Sequence, residues 1–342
     1  MPLRCSMKSA AAMQNESRPQ VLVLGNGILR AFEGAAGSCQ DLENQLMKAA
    51  GVASPEGTGA PTIPFPLRVA ASFAKTDEHH VTLQKAVASL CVAKKDKGIW
   101  CNLGAAGCDY FKQLLACGFT DIITTNYGYE IEKALCGKCP GPGEKRTNNF
   151  YKRRIFPKKL GITERKFKIW KYYQFRPEGP RIWHVHGEFL KPQSIILEYS
   201  DYCSLLAVVK KYPHPKCQEP PSDAPKSRPW IQEFLDGDVY ILGFGAALCE
   251  PSFWYLMERK CHRKNTGKVC FYEPNFGDAD NEQKDRLAMF SAFGADYQSL
   301  GMTILKANEK DFKANEGDFE TFYQKTAEDI IKRVQSSKTA AR

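Results

Sequence analysis

Residues 21–32, Val21-Leu22-Val23-Leu24-Gly25-Asn26-Gly27-Ile28-Leu29-Arg30-Ala31-Phe32, decide how this chain folds. Four consecutive aliphatic residues stop at a Gly-Asn-Gly turn, and a helix-like pattern comes next. An unbroken apolar run has no polar face to offer water, so it predicts a strand covered on both sides. Followed at once by a helix, it reads as the first βα unit of a parallel sheet.

The rest of the chain repeats that alternation. Asp121-Ile122-Ile123-Thr124-Thr125-Asn126 predicts a second buried strand, with a helix over 129–135 behind it. Strands are expected over 182–186, 194–197, 239–242, 268–272 and 298–305. Helices are expected over 40–49, 80–95, 107–118, 250–260, 281–293 and 316–335. Residues 53–66, rich in Pro and Gly, form a loop. The fold class is therefore α/β, a Rossmann-like doubly wound and mostly parallel sheet.

Between the second and third strands the composition changes. Residues 136–181 are basic and aromatic, with two Pro/Gly clusters, and read as an insertion in the sheet. The expected organisation is a tail over 1–18, one domain over 19–335 carrying that insertion, and a polar tail over 336–342. No internal repeat is visible.

Composition sets outer limits. The chain has 342 residues, of which 43% are hydrophobic and 25% charged, as in an ordinary globular protein. It contains no apolar run of about 18 residues that would span a membrane. Its start, MPLRCSMKSAAAMQNE, lacks the apolar core of a secretion signal and reads as a disordered tail, an organelle-targeting signal being the alternative. Thirteen cysteines, an odd number scattered through apolar segments, fit reduced thiols in a cytosolic protein better than a disulfide framework. The net charge of +10 permits an anionic ligand or partner without requiring one.

In an open parallel sheet, ligands bind outside the carboxyl ends of the strands. The residues expected there are Gly25-Asn26-Gly27, Thr124-Thr125-Asn126-Tyr127, His186-Gly187 and Gly243-Phe244-Gly245. Glycines after a first strand let backbone N–H groups approach a phosphate, although the same residues also make a simple tight turn. Asn126 offers donor and acceptor together, suited to a ribose hydroxyl and a water. It is also placed to cap the helix that comes after it. Histidine is the side-chain type most used as a general base, which gives His186 one reading, and a core histidine is the other. His184 and His186, two of six histidines, also form an HxH pair that would suit a metal given further ligands.

Taken in order, VLVLGNGILRAF, TTNYGYEIE, IWHVHGE with SIILEYSDY, and VYILGFG resemble the sirtuin-like NAD-consuming family. The phrasing is closer to the bacterial sirtuin-like NAD hydrolases of anti-phage defence than to protein deacylases. The resemblance spans roughly residues 20–305. It implies that Gly25, Asn26, Gly27 and Arg30 line the NAD phosphates. Thr125 and Asn126 would hold the nicotinamide ribose and the attacking water, His186 would be the base, and Gly243 and Gly245 would shape the adenosine side. His184, by period two on the same strand face, would support His186 or pack in the core. The implied reaction is cleavage of NAD to nicotinamide and ADP-ribose, linear or cyclised, in antiviral defence. Such activity implies gating by homo-oligomeric assembly or by a trigger such as an activating partner protein.

Two departures from the family stand out. Where its Asn motif continues to an aspartate that helps hold the nicotinamide carboxamide, this chain has Gly128. That keeps open a catalytically degenerate module that binds NAD or ADP-ribose as sensor or scaffold, with a protein deacylase as a third reading. The paired CxxC zinc module of the deacylases is missing as well. Cys136 and Cys139 with His214 and Cys217 could hold zinc, though coincidence among thirteen cysteines is the preferred account and no metal site is assigned. The insertion's lysines and arginines, interleaved with Phe150, Tyr151, Phe156, Phe167, Trp170, Tyr172 and Tyr173, suit single-stranded nucleic acid. They suit equally a packed helix with a solvated basic face, or an oligomer interface.

Overall fold

The structure is a computed structural model, which describes residues 18–31, 66–67, 108–136, 172–176, 178–211, 228–244, 250–263, 266–272, 285, 288–289, 292–293 and 319–340. Among the described residues five strands form one all-parallel sheet: β1 (Gln20–Leu24), β2 (Asp121–Thr124), β3 (Arg181–His184), β4 (Asp238–Leu242) and β5 (Val269–Tyr272), in the order β3-β2-β1-β4-β5. Among the described residues the helices are α1 (Cys108–Ala116), α2 (Glu130–Cys136), α3 (Tyr199–Lys211), α4 (Trp230–Asp236), α5 (Pro251–Cys261) and α6 (Phe319–Ala340).

The apolar runs explain the layering. Alternate residues of one strand face opposite ways. Leu22, Leu24, Ile122, Ile182, Tyr240 and Leu242 pack on one face with α1 and α6. Val21, Val23, Ile123, Trp183, Val239 and Ile241 pack on the other with α3, α4 and α5. Helices thus cover both faces, and the expected doubly wound α/β arrangement is present.

Charged residues pin the amino edge of the sheet. The fully buried Asp121 accepts from Arg181 Nη2 at 2.7 Å and from Trp183 Nε1 at 2.8 Å, and Arg181 Nη2 also reaches Glu233 Oε1 at 2.8 Å. Lys260, buried on α5, donates to the carbonyls of Phe234, Leu235 and Gly237. It thereby satisfies acceptors that the end of α4 would otherwise leave open.

Several expected boundaries move. A 3₁₀ helix, Asn26–Ala31, succeeds β1 in place of an α-helical turn. Strand β3 stops at His184, two residues short of the expected end, because Val185 and His186 enter a turn. The expected strand over 194–197 is instead a 3₁₀ turn, Pro192–Ser194, leading into extended chain outside the sheet. Helix α6 passes the expected limit of 335 and continues to Ala340. Phe322, Tyr323, Ala327, Ile330 and Val334 form its buried stripe, and Tyr272 donates to Asp329 at 2.8 Å. In the last turns Ser336, Ser337 and Thr339 bond back to helix carbonyls, and the Lys338 ammonium lies beside Gly118.

The segment 136–181 is described only at its ends. Tyr172 and Tyr173 are core residues rather than exposed stacking platforms: Tyr172 packs on Trp183, and Tyr173 bridges Ile182 in antiparallel fashion. The rest of the insertion, the expected helices over 40–49 and 80–95, the strand over 298–305 and the tail over 1–17 lie outside the described residues.

Candidate functional site at the carboxyl edge

Because the five described strands are parallel, their carboxyl ends fall on one edge. The strand order reverses direction between β1 and β4, and such a switch point leaves a crevice outside the strand ends. The turns after β1 and β4 meet there. Gly25 N–H donates to Leu242 O at 3.0 Å, and Gly27 N–H donates to Gly243 O at 2.7 Å. A Cβ on Gly25 would stand 2.4 Å from both Gly243 O and Phe244 Cα, and Gly243 has a φ of +65°. Only glycine lets two backbones approach this closely. The glycines therefore serve first to close the two turns on each other, and their own N–H groups are engaged by β4 and its turn rather than presented to a phosphate. Tyr323, whose hydroxyl would lie 2.6 Å from a Cβ on Gly27, brings α6 against the same turn. Asn26 is half-buried at this turn. Arg30 has its backbone in the 3₁₀ helix and its side chain outside the described residues, as is Gly245 entirely.

Asn126 stands just past β2. The side chain is buried, and its Nδ2 faces Gly25 O at 3.4 Å, tying the end of β2 to the first turn. Its backbone N–H donates to Thr124 Oγ1 at 3.1 Å, which in turn donates to Leu24 O at 3.1 Å. Thr125 N–H adds a bond to Leu24 O at 3.2 Å. Helix α2 begins only at Glu130, so the capping role that the sequence allowed for Asn126 is not taken up. Its Oδ1 is buried without a hydrogen-bond partner. A buried amide oxygen of this kind is costly unless a donor reaches it, and a ligand hydroxyl or a water would supply one.

The two histidines part company, contrary to the expectation of a shared strand face. β3 ends at His184, and the turn through Gly187, with a φ of +94°, re-aims the chain on either side of it. His184 lies on one side of the sheet, between the rings of Tyr129 and Tyr173, with Nδ1 at 3.1 Å from Asn126 O and Nε2 at 2.8 Å from Glu132 Oε1. His186 lies on the other side, its ring edge-on to Tyr202 and its Nε2 at 3.4 Å from Glu250 Oε2. Two rings on opposite faces cannot share a metal ion. Among the described residues no group of three or more His, Cys, Asp or Glu side chains is arranged to hold one. Cys139, His214 and Cys217 lie outside those residues, so the zinc arrangement expected with Cys136 is not described.

Acidic residues fill the side on which His184 lies. Glu132 is fully buried, and Glu188 accepts from Tyr129 at 2.6 Å, from Tyr173 and from Lys191. Glu130 is buried with neither carboxyl oxygen hydrogen-bonded. Burial, reinforced by Glu132, pushes its pKa up to about 8, so it is largely protonated at neutral pH. Its carboxyl group stands where a side chain at position 128 would start.

Sequence reasoning missed Glu250 and Tyr323, and noted Glu130 and Glu132 near Gly128 without a sign that either could take the aspartate's place. Glu250 had one signal, its position immediately before Pro251 at the start of a helix beyond a glycine-rich turn. Tyr323 carried none beyond its place in an amphipathic stripe.

Residues 120–238 match a family described as SIR2-like domain, a span running from the start of β2 to the start of β4. No curated protein matches the chain. This stretch is similar to SIR2-like domains, and SIR2-like domains use NAD. The β1 turn precedes the matched span and joins it through the sheet.

Proposed function

We propose that the protein is an NAD hydrolase that breaks the bond between nicotinamide and ribose. The observation that carries this reading is the Asn126 amide. Its oxygen is buried and unpaired, its nitrogen is tied to the first turn, and it stands at the carboxyl edge of a sheet whose matched span is SIR2-like.

In this reading Asn126 orients the nicotinamide ribose and a water, with Thr125 beside it. The turns at Gly25-Asn26-Gly27 and Gly243-Phe244-Gly245, with Arg30, line the rest of the dinucleotide. The C–N bond breaks with its electron pair leaving on nicotinamide, which is neutral once released. Positive character develops on the ribose, and water adds to the same carbon. The proton lost by that water goes to His186. Glu250, whose Oε2 lies 3.4 Å from His186 Nε2, would stabilise the imidazolium that forms. Holding ribose, water and base together supplies the orientation, and the buried setting keeps bulk water away. The product is ADP-ribose, or its cyclic form if a group of the ligand attacks in place of water.

Release of nicotinamide without a cosubstrate would drain a cell of NAD. We therefore extend the reading to a defence role in the cytoplasm, with activity gated by homo-oligomeric assembly or by a partner protein. No helix among the described residues is long and apolar enough to cross a membrane. One observation favours a second reading, a binding module without turnover: Glu130 occupies the room at Gly128.

The test is NAD turnover by the purified full chain over a range of protein concentrations, beside Asn126→Ala and His186→Ala. Peptide-independent release of nicotinamide, lost in both variants, supports the hydrolase. Tight ADP-ribose binding without turnover selects the module, and dependence on an acylated peptide selects a deacylase.

A further inference from the structure

His184 is almost wholly buried, and its partners are of one kind. Nδ1 faces a backbone carbonyl, that of Asn126, and Nε2 faces a carboxylate, that of Glu132. A carbonyl oxygen only accepts, so Nδ1 must carry hydrogen, and a carboxylate facing Nε2 is satisfied when that nitrogen carries hydrogen as well. The neutral ring offers one N–H and would leave one lone pair pointing at an oxygen. We propose that His184 is a positioning residue for the nucleotide site: clamped by Glu132 through Nε2, it donates Nδ1–H to the Asn126 carbonyl and fixes the asparagine whose side chain meets the ribose. This rests on the reading of Asn126 given under Proposed function.

The surroundings support the charged ring. From α2 come Glu132 and Glu130, from the preceding turn Tyr129, and from the segment bridged to β3 comes Tyr173. From the turn after β3 comes Glu188, itself held by Lys191. Glu132 and Glu188 are the acidic groups that face the ring, and Lys191 pairs with Glu188. Burial alone would lower the ring's pKa. Glu132, Glu188 and the bond to Asn126 outweigh it and raise the pKa to about 9.

His184, at the end of β3, thus contacts the backbone of Asn126 just past the neighbouring strand β2. His186 faces Glu250, while His184 sets the main chain that carries Asn126. It touches no reacting atom, so its signature is a change in how the site works with pH.

The test uses the full chain with ¹⁵N-labelled histidine, beside Glu132→Gln, His184→Asn and His184→Gln. Both His184 nitrogens are expected to remain protonated to about pH 9 in the parent protein and to titrate lower in Glu132→Gln. NAD turnover should fall along an alkaline limb that moves down with that titration. His184→Asn keeps a donor near the Nδ1 position and should retain most of kcat. His184→Gln places its amide toward Glu132 and should lose up to about a hundredfold, as small misplacements do. A neutral His184 ring at about pH 7.5 overturns the proposal, as does an alkaline limb indifferent to Glu132→Gln, or equal losses in the two His184 variants. If the parent binds ADP-ribose without turnover, the hydrolase reading fails alone, and the same Asn-against-Gln contrast in ADP-ribose affinity decides the proposal. Absence of both turnover and ADP-ribose binding overturns both.

Discussion

Glu130 fills the space that a side chain at Gly128 would need: a Cβ on Gly128 would stand 2.0 Å from Glu130 Oε1. Gly128 does not have a left-handed backbone, so conformation does not require glycine there. What excludes a larger residue is the neighbouring carboxyl group. Gly128→Asp should therefore destabilise the fold more than Gly128→Ala, because it sets a second carboxyl against a buried one. Adding Glu130→Ala should recover most of the difference. Thermal unfolding of the single and double variants, treated as a cycle, reads this as a coupling of about 1–3 kcal/mol.

The same carboxyl makes stability depend on pH. The folded protein keeps the Glu130 proton up to about pH 8, whereas the unfolded chain releases it near the ordinary value of 4.5. The folded state thus binds more protons between these values, and this group's contribution to stability falls as pH rises through that window. Glu130→Gln removes the effect. Relative to the parent, the variant should gain on the order of a few kcal/mol between about pH 5 and pH 8.5, measured by urea unfolding at each pH.

Gly187 turns the chain immediately after His186. Its φ is +94°, and a Cβ there would stand 2.1 Å from Ser194 O and 2.4 Å from Ser194 C, which are backbone atoms that cannot swing aside. Gly187→Ala should lower stability by about 2 kcal/mol or more through strain and displaced backbone. A conservative change at exposed Tyr199 should cost little by comparison, and thermal melts of the two variants provide the check.

His186 and Glu250 should act as a unit. Glu250 Oε2 lies 3.4 Å from His186 Nε2 and has no hydrogen-bond partner of its own among the described residues. Glu250→Gln should lower kcat for NAD by about tenfold or more with a smaller change in KM, and Glu250→Gln added to His186→Ala should cost almost nothing further. Additive losses in steady-state kinetics would separate the two residues.

Much of the fold was legible in the chain because its signals are local. Val21-Leu22-Val23-Leu24 ending in glycine, Asp121-Ile122-Ile123-Thr124 and Val239-Tyr240-Ile241-Leu242 have no continuous polar face, and a covered parallel sheet is where such runs are stable. The edge on which Asn126, His186 and the glycine turns gather has the same origin, since parallel strands put all their carboxyl ends together. Tertiary structure decided what each of these residues touches. Period two placed His184 and His186 on one face, but the strand ended at His184 and the chain entered a turn. Asn126 could have capped its own helix, yet its amide faces a carbonyl just past β1. Gly25 and Gly27 were read as phosphate amides, and contact with β4 and its turn took their N–H groups. Glu250 and Glu130 gave little local sign of their roles, because those roles depend on which groups lie opposite once the sheet is assembled. Backbone pattern is a property of neighbours in sequence. Hydrogen-bond partners, charge balance and the room left at Gly128 belong to neighbours in space, and only the packed molecule brings those together.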